Sequence, residues 1–232
     1  VSDAATTVGP DGGRAAERRP LVVVDVDEVV LRFVAPLERR LLTMGYRFTP
    51  VTFAITGNVY PAGSARALPA EEVRAAIDAF YESTAAIQEP VEGAVAALAR
   101  IADLAEVVLL SNLPERHAEA RRRRLAELGI DARLLVNDGP KGPAVAALAG
   151  DDPEARGVVF VDDGPIHLAS VRDRVAGVRL IQFVDDERFF RMAPAIAGVW
   201  LRTRSWHEVT ERIEALFGGA GEAASRPPIA ES

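Results

Sequence analysis

The sequence predicts an α/β protein: a three-layer, Rossmann-like parallel-sheet core that carries a small, mainly helical cap domain. Three observations predict it. Short apolar runs bounded by turn residues recur along the chain, as buried strands require. Helix-length segments separate them, which fits parallel strands joined by crossovers. One long stretch, 34–90, lacks any such run and reads as an insert.

The first strand, 21–25, is Leu-Val-Val-Val-Asp, with β-branched residues that suit a strand buried on both faces. Further strands are expected at 106–111, 132–136, 157–162, 178–184 and 198–201. Helices are expected at 91–103, 114–128, 142–149, 165–173 and 206–217. Gly129 stands where a helix C-terminus favours glycine, and Ser205 with Glu208 makes a capping box for the last helix. Within the insert, Pro36–Met44 reads as a helix closed by Gly45, and 69–84 as a second amphipathic helix. Residues 46–67 are mixed and aromatic. Core segments are thus 20–33 and 91–217, flanked by loose tails at 1–19 and 218–232 that are rich in Gly, Ala, Ser, Pro and charge.

The chain has 232 residues, 49% hydrophobic and 26% charged, enough for a sizeable core. It has no cysteine, which excludes thiolate metal sites, cysteine nucleophiles and disulfides. A net charge of −7 argues against nucleic acid or an anionic membrane as partner. No apolar stretch is long enough to span a bilayer, and the first twenty residues lack a signal-type apolar block, so a cytoplasmic protein is expected. Oligomeric state is not legible.

Strand ends carry the chemistry. Asp25 and Asp27 follow the first strand, and alternation along a strand would point both to one side. Two carboxylates there repel unless a cation or shared proton relieves them. Ser111 and Asn112 end the second strand, Lys141 lies in a Gly-Pro-Lys-Gly loop, and Asp162 and Asp163 end the fourth strand. Each alone has an ordinary reading: Ser111 as a turn serine, Asn112 and Asp163 as helix caps, Lys141 as a solvated lysine.

Taken in order, these four motifs resemble the haloacid dehalogenase superfamily of hydrolases, in the phosphatase branch with two acids in its first motif. The resemblance covers about 20–217. It implies a phosphatase of small phosphate monoesters, with Asp25 as nucleophile forming an aspartyl phosphate and Asp27 as general acid and then base. It implies Mg²⁺ held by Asp25, the Asp27 carbonyl and Asp162, with Asp163 holding a metal-bound water. Ser111 would donate to a phosphoryl oxygen, Asn112 would touch substrate, and Lys141 would offset negative charge. The insert would be a mobile cap that admits small-molecule substrates. Phosphoryl transfer to another acceptor uses the same groups, and a retired binding protein is the rival reading.

Two residues depart from the pattern: Glu28 and Val29 stand where many relatives have Gly and Thr. The second acid, Asp27, argues against carbon–halogen cleavage. Other features read as ordinary. His117, His167 and His207 lack ligand spacing and suit helix surfaces or caps. Arg121–Arg124, among glutamates, reads as a solvated, salt-bridged face. Asp185-Asp186 reads as a turn before a helix starting near Glu187. Arg47, Tyr60 and Arg66 are candidates for reading the leaving group, though surface or packing roles are the simpler reading. Phe33 opens the insert.

Overall fold

A computed structural model describes residues 18–220. Most of the two expected tails, 1–17 and 221–232, lies outside the described residues. The chain opens with β1 (Leu21–Val24), buried along its whole length. The insert follows: α1 (Val34–Thr43), a hairpin of β2 (Tyr46–Phe48) and β3 (Val59–Pro61), and α2 (Ala70–Thr84). The hairpin was not anticipated, because three-residue strands carry too little alternation to register as a period. After α3 (Ala94–Leu104) come β4 (Glu106–Ser111), α4 (Ala118–Glu127) and β5 (Arg133–Val136). The second half runs α5 (Gly142–Ala149), α6 (Pro153–Arg156), β6 (Val158–Asp162), α7 (Pro165–Arg172), β7 (Arg179–Phe183), α8 (Glu187–Met192), β8 (Val199–Thr203) and α9 (Trp206–Phe217).

Six strands form one parallel sheet in the order β5-β4-β1-β6-β7-β8. Alternation sorts β1 between the two faces. Val22 and Val24 join a cluster with Leu98 and Ile101 of α3 and Trp206 and Val209 of α9. Leu21 and Val23 join another with Val145 of α5 and Leu168 and Val171 of α7. This is the expected three-layer arrangement. The chain winds outward from β1 to β4 and β5, then returns to the other side of β1 at β6. That reversal opens a crevice beyond the carboxyl ends of β1, β4 and β6.

The insert packs over this crevice. Its two connections run side by side: the Arg32 amide donates to the Glu89 carbonyl at 2.9 Å, and the Val91 amide to the Val30 carbonyl at 2.9 Å. A third apolar cluster joins Leu37, Phe48, Val73 and Phe80 of the insert to Leu113, Val184 and Phe189 of the core.

Candidate active site

β1 ends at Val24, one residue before the first acid. The Asp25 amide still donates to the Val161 carbonyl of β6 at 2.8 Å, so the Asp25 backbone stays anchored to the sheet. The chain then turns at once: the Val30 and Leu31 amides both donate to the Val26 carbonyl, at 2.9 and 2.8 Å. Asp25 and Asp27 thus stand just past the strand rather than within it. They meet different partners while lining one cavity of about 220 Å³.

Asp25 faces Lys141, whose ammonium donates to Asp25 Oδ1 and, at 2.8 Å, to Asp162 Oδ2. Lys141 is only 1% exposed, so it is no surface lysine. It sits at the N-terminal end of α5, where the close approach of α5 to α7 at Gly142 places it. A Cβ at Gly142 would lie 2.3 Å from the Ser170 carbonyl oxygen, so only glycine lets the lysine loop settle there. Asp162 is fully buried, and its Oδ1 accepts from the Gly164 amide at 2.7 Å. That bond opens α7 and displaces the reading of Asp163 as its cap.

Oxygens of Asp25, Asp162 and Asp163 lie within 4.8 Å of one another. Burial, reinforced by Asp162 and Asp27 against the pull of Lys141, pushes the Asp25 carboxyl up to about 7. Burial and the charges of Asp162 and Asp25 raise Asp163 well above its ordinary value. Burial opposes the Lys141 ammonium, yet Asp162 and Asp25 outweigh it and raise its proton affinity. Asp25 and Asp162 thus share one buried cation, with the Asp163 carboxyl beside them. Such a set of hard oxygens, short of positive charge, fits a divalent ion of the Mg²⁺ type.

Asp27 is held otherwise. Its Oδ1 accepts from Arg121 Nη2 at 3.0 Å and from Gln88 Nε2 at 3.3 Å, and its Oδ2 lies 3.3 Å from Ser111 Oγ. Arg121 also donates to Gln88 Oε1 at 2.7 Å and lies over the Tyr81 ring. The expected solvated arginine face is corrected here, since Arg121 is 0% exposed. Arg122, by contrast, stays on the surface near Glu119. The error was one of phase: in a run of four arginines no apolar residue marks which one turns inward. Gln88 gave no sequence signal at all, because its partners lie 33 and 61 positions away.

Asn112 does not cap the next helix. Its amide donates to the Gly139 carbonyl at 2.9 Å and its oxygen accepts from Asn137, tying β4 to the lysine loop. Of the histidines, His207 is exposed on α9, as expected. His117 is buried and lies 2.8 Å from Asp78 on α2. His167 lines the cavity from α7, with a buried Nδ1 that has no partner among the described residues. Arg47, Tyr60 and Arg66 do not line it, so the simpler reading of them holds; Arg47 stacks over Tyr60.

Glu28 takes a left-handed conformation, φ 68°. It is the one non-glycine residue with positive φ among the described residues. Its carboxylate explains how a side chain survives there. Oε2 accepts from the Val34 and Phe33 amides at 2.8 and 3.1 Å, at the start of α1, and Oε1 accepts from the Asp186 amide at 2.7 Å. Burial pushes Glu28 up to about 7 despite these three donors. Asp186 in turn caps α8, in agreement with the turn expected at 185–186.

Many solved structures share this architecture. One is a haloacid dehalogenase-like hydrolase from Xanthomonas campestris, at 16% identity and TM-score 0.57 over 89% of this chain and 99% of that one. The chain has the haloacid dehalogenase-like fold. A hydrolase of the same fold from Deinococcus radiodurans, solved with bound phosphate and sodium, matches at 14% identity and TM-score 0.55, covering 86% of this chain and 96% of that one. A third, from Bacillus subtilis and bound to magnesium, matches at 13% and 0.56 over 84% and 99%. No family model and no curated protein matches the sequence. Among the described residues no helix is long and apolar enough to cross a membrane.

Proposed function

We propose that this protein is a Mg²⁺-dependent phosphatase of small-molecule phosphate monoesters, acting through a phospho-Asp25 intermediate. One observation carries the reading: Asp25, Asp162 and Asp163 converge within 4.8 Å, with Lys141 buried against the first two. The phosphate, sodium and magnesium bound by proteins of the same fold support it.

A carboxylate oxygen of Asp25 attacks phosphorus as the bond to the leaving oxygen breaks. Asp27 supplies the proton that oxygen needs. Water then attacks phosphorus, Asp27 takes its proton, and Asp25 is released with inorganic phosphate. Lys141 stabilises negative charge on the phosphoryl oxygens, and burial makes that attraction stronger than in water. Ser111 sits beside Asp27, its hydroxyl 3.3 Å from Asp27 Oδ2. Bound Mg²⁺, held by Asp25, Asp162 and Asp163, would offset the remaining charge and draw the phosphoryl group to Asp25.

Glu28 and Val29 are the two departures that keep the retired-enzyme reading open. The Glu28 oxygens are engaged by three backbone amides. It serves the backbone there, which supports reading Glu28 as a structural residue rather than as a sign of lost catalysis. Hydrolysis of p-nitrophenyl phosphate, with and without Mg²⁺, tests the proposal. Asp25→Asn should lower turnover by at least about a thousandfold; equal turnover in the variant would end the nucleophile assignment.

A further inference from the structure

The cavity has two unlike halves. Its floor is polar: Asp25, Asp27, Lys141 and Asp163. Its walls are largely apolar, formed by Phe33, Val34, Phe53, Ile55, Phe189 and the ring of Tyr81. The rings brace one another. Phe53 meets Phe189 edge-on at 5.5 Å, and Phe33 lies 5.8 Å from Tyr81. Phe189 also stacks on Phe48 of the hairpin, which fixes the far wall.

Of the polar side chains that line the cavity above its floor, His167 keeps a ring nitrogen, Nδ1, without a partner among the described residues. Asn112 is spent on Asn137 and the Gly139 carbonyl, and Glu28 on three amides. Lys141 is the only lysine or arginine lining the cavity among the described residues, and it belongs to the floor. A second phosphate or a carboxylate on the leaving group would find no cation. The several hydroxyls of a sugar would lose water and find little beyond His167 and the Tyr81 hydroxyl to replace it, a loss that apolar surroundings make costly. The space is also small beside pockets of about 300–1,000 Å³ that hold drug-sized ligands.

We infer that the group esterified to phosphate is small, uncharged and apolar: a single aromatic ring or a branched aliphatic chain seated between Phe53, Phe189 and Tyr81. This rests on the phosphatase reading and narrows its substrate class.

The test uses the full chain with Mg²⁺ and compares benzyl phosphate with glucose 6-phosphate, both esters of primary alcohols. Benzyl phosphate should have a kcat/KM at least about tenfold higher, the discrimination an apolar pocket readily supplies. Phe53→Ala and Ile55→Ala should each cut kcat/KM for benzyl phosphate about tenfold more than for acetyl phosphate, which places almost nothing against the walls. Turnover of acetyl phosphate with glucose 6-phosphate equal to or better than benzyl phosphate would overturn this inference and leave the phosphatase standing. Binding separates the two failures in the other direction. Benzylphosphonate should bind at least about tenfold tighter than methylphosphonate by calorimetry, turnover or none. Equal affinities would overturn the apolar site, and tighter benzyl binding without any turnover would sustain it while the hydrolytic reading fails.

Discussion

A left-handed φ of 68° at Glu28 shows how a single residue can exchange local strain for distant bonds. An L-residue with a β-carbon is disfavoured there, by roughly 1–2 kcal/mol. Hydrogen bonds to three backbone amides, one buried and two part-buried, offset that cost. Glu28→Gly should therefore be more stable than Glu28→Ala by about 1–2 kcal/mol in urea unfolding, and both less stable than the wild type. The same carboxyl makes a pH prediction. Asp25 and Glu28 have ordinary values of 3.8 and 4.5, both pushed up to about 7 by burial. Each keeps a proton in the folded chain where the unfolded chain has lost it. Their contribution is whole below those ordinary values and disappears as pH rises through about 7. Asp78 and Asp186 are lowered from 3.8, so they act in the opposite sense and only at lower pH. The metal-free protein should thus lose stability between about pH 4.5 and 7 in urea melts, less steeply in Glu28→Gln. Arg121 is the other decisive residue. Arg121→Met leaves the Asp27 carboxylate without its guanidinium partner, which for a buried pair costs about 3–5 kcal/mol. Unfolding and turnover, measured together, should both suffer, and Arg121→Lys should recover part of the turnover.

Among the elements, the contact of α5 with α7 is the least forgiving. Gly142→Ala drives a methyl group to 2.3 Å from a backbone oxygen, so a helix must shift and carry Lys141 with it. A cost of about 1–3 kcal/mol is expected from overpacking of this kind, together with weaker Mg²⁺ binding by titration calorimetry. The insert is held more lightly. Asp78 on α2 pairs with Arg116 and His117 just before α4, and Arg188 on α8 pairs with Glu38 on α1 at 2.7 Å. Exposed pairs of this type contribute roughly 0–1 kcal/mol each. Asp78→Ala should leave global stability nearly intact while speeding amide hydrogen exchange in α2 relative to the sheet. Unchanged exchange there would mean that apolar packing alone holds the helix down.

For the molecule as a whole, the sheet order brings side chains from β1, β6 and the loop before α5 to one ion-sized space. Anything binding that space in the folded state alone must stabilise the fold. Mg²⁺ at about a hundred times its Kd should add roughly 2.7 kcal/mol, and Asp162→Asn should erase the gain. This wholeness also marks how far reading residues in order could go. The parallel sheet and its major helices were legible, and Asp25, Lys141, Asp162 and Asp163, singled out at the ends of strands and loops, do come together. Strand burial and turn chemistry write local, periodic signals, and the acids and lysine stand at the ends of those signals. The hairpin at 46–61 was too short to have a period. Arg121, Gln88 and His167 were missed because burial and partners depend on which helix face meets which loop. So was the service Glu28 gives to two helix starts. Periodicity is a property of neighbours a few residues apart, and it survives in a string of letters. Convergence of residues 158 positions apart, as between Glu28 and Asp186, is created when apolar faces pack, and no local pattern encodes it.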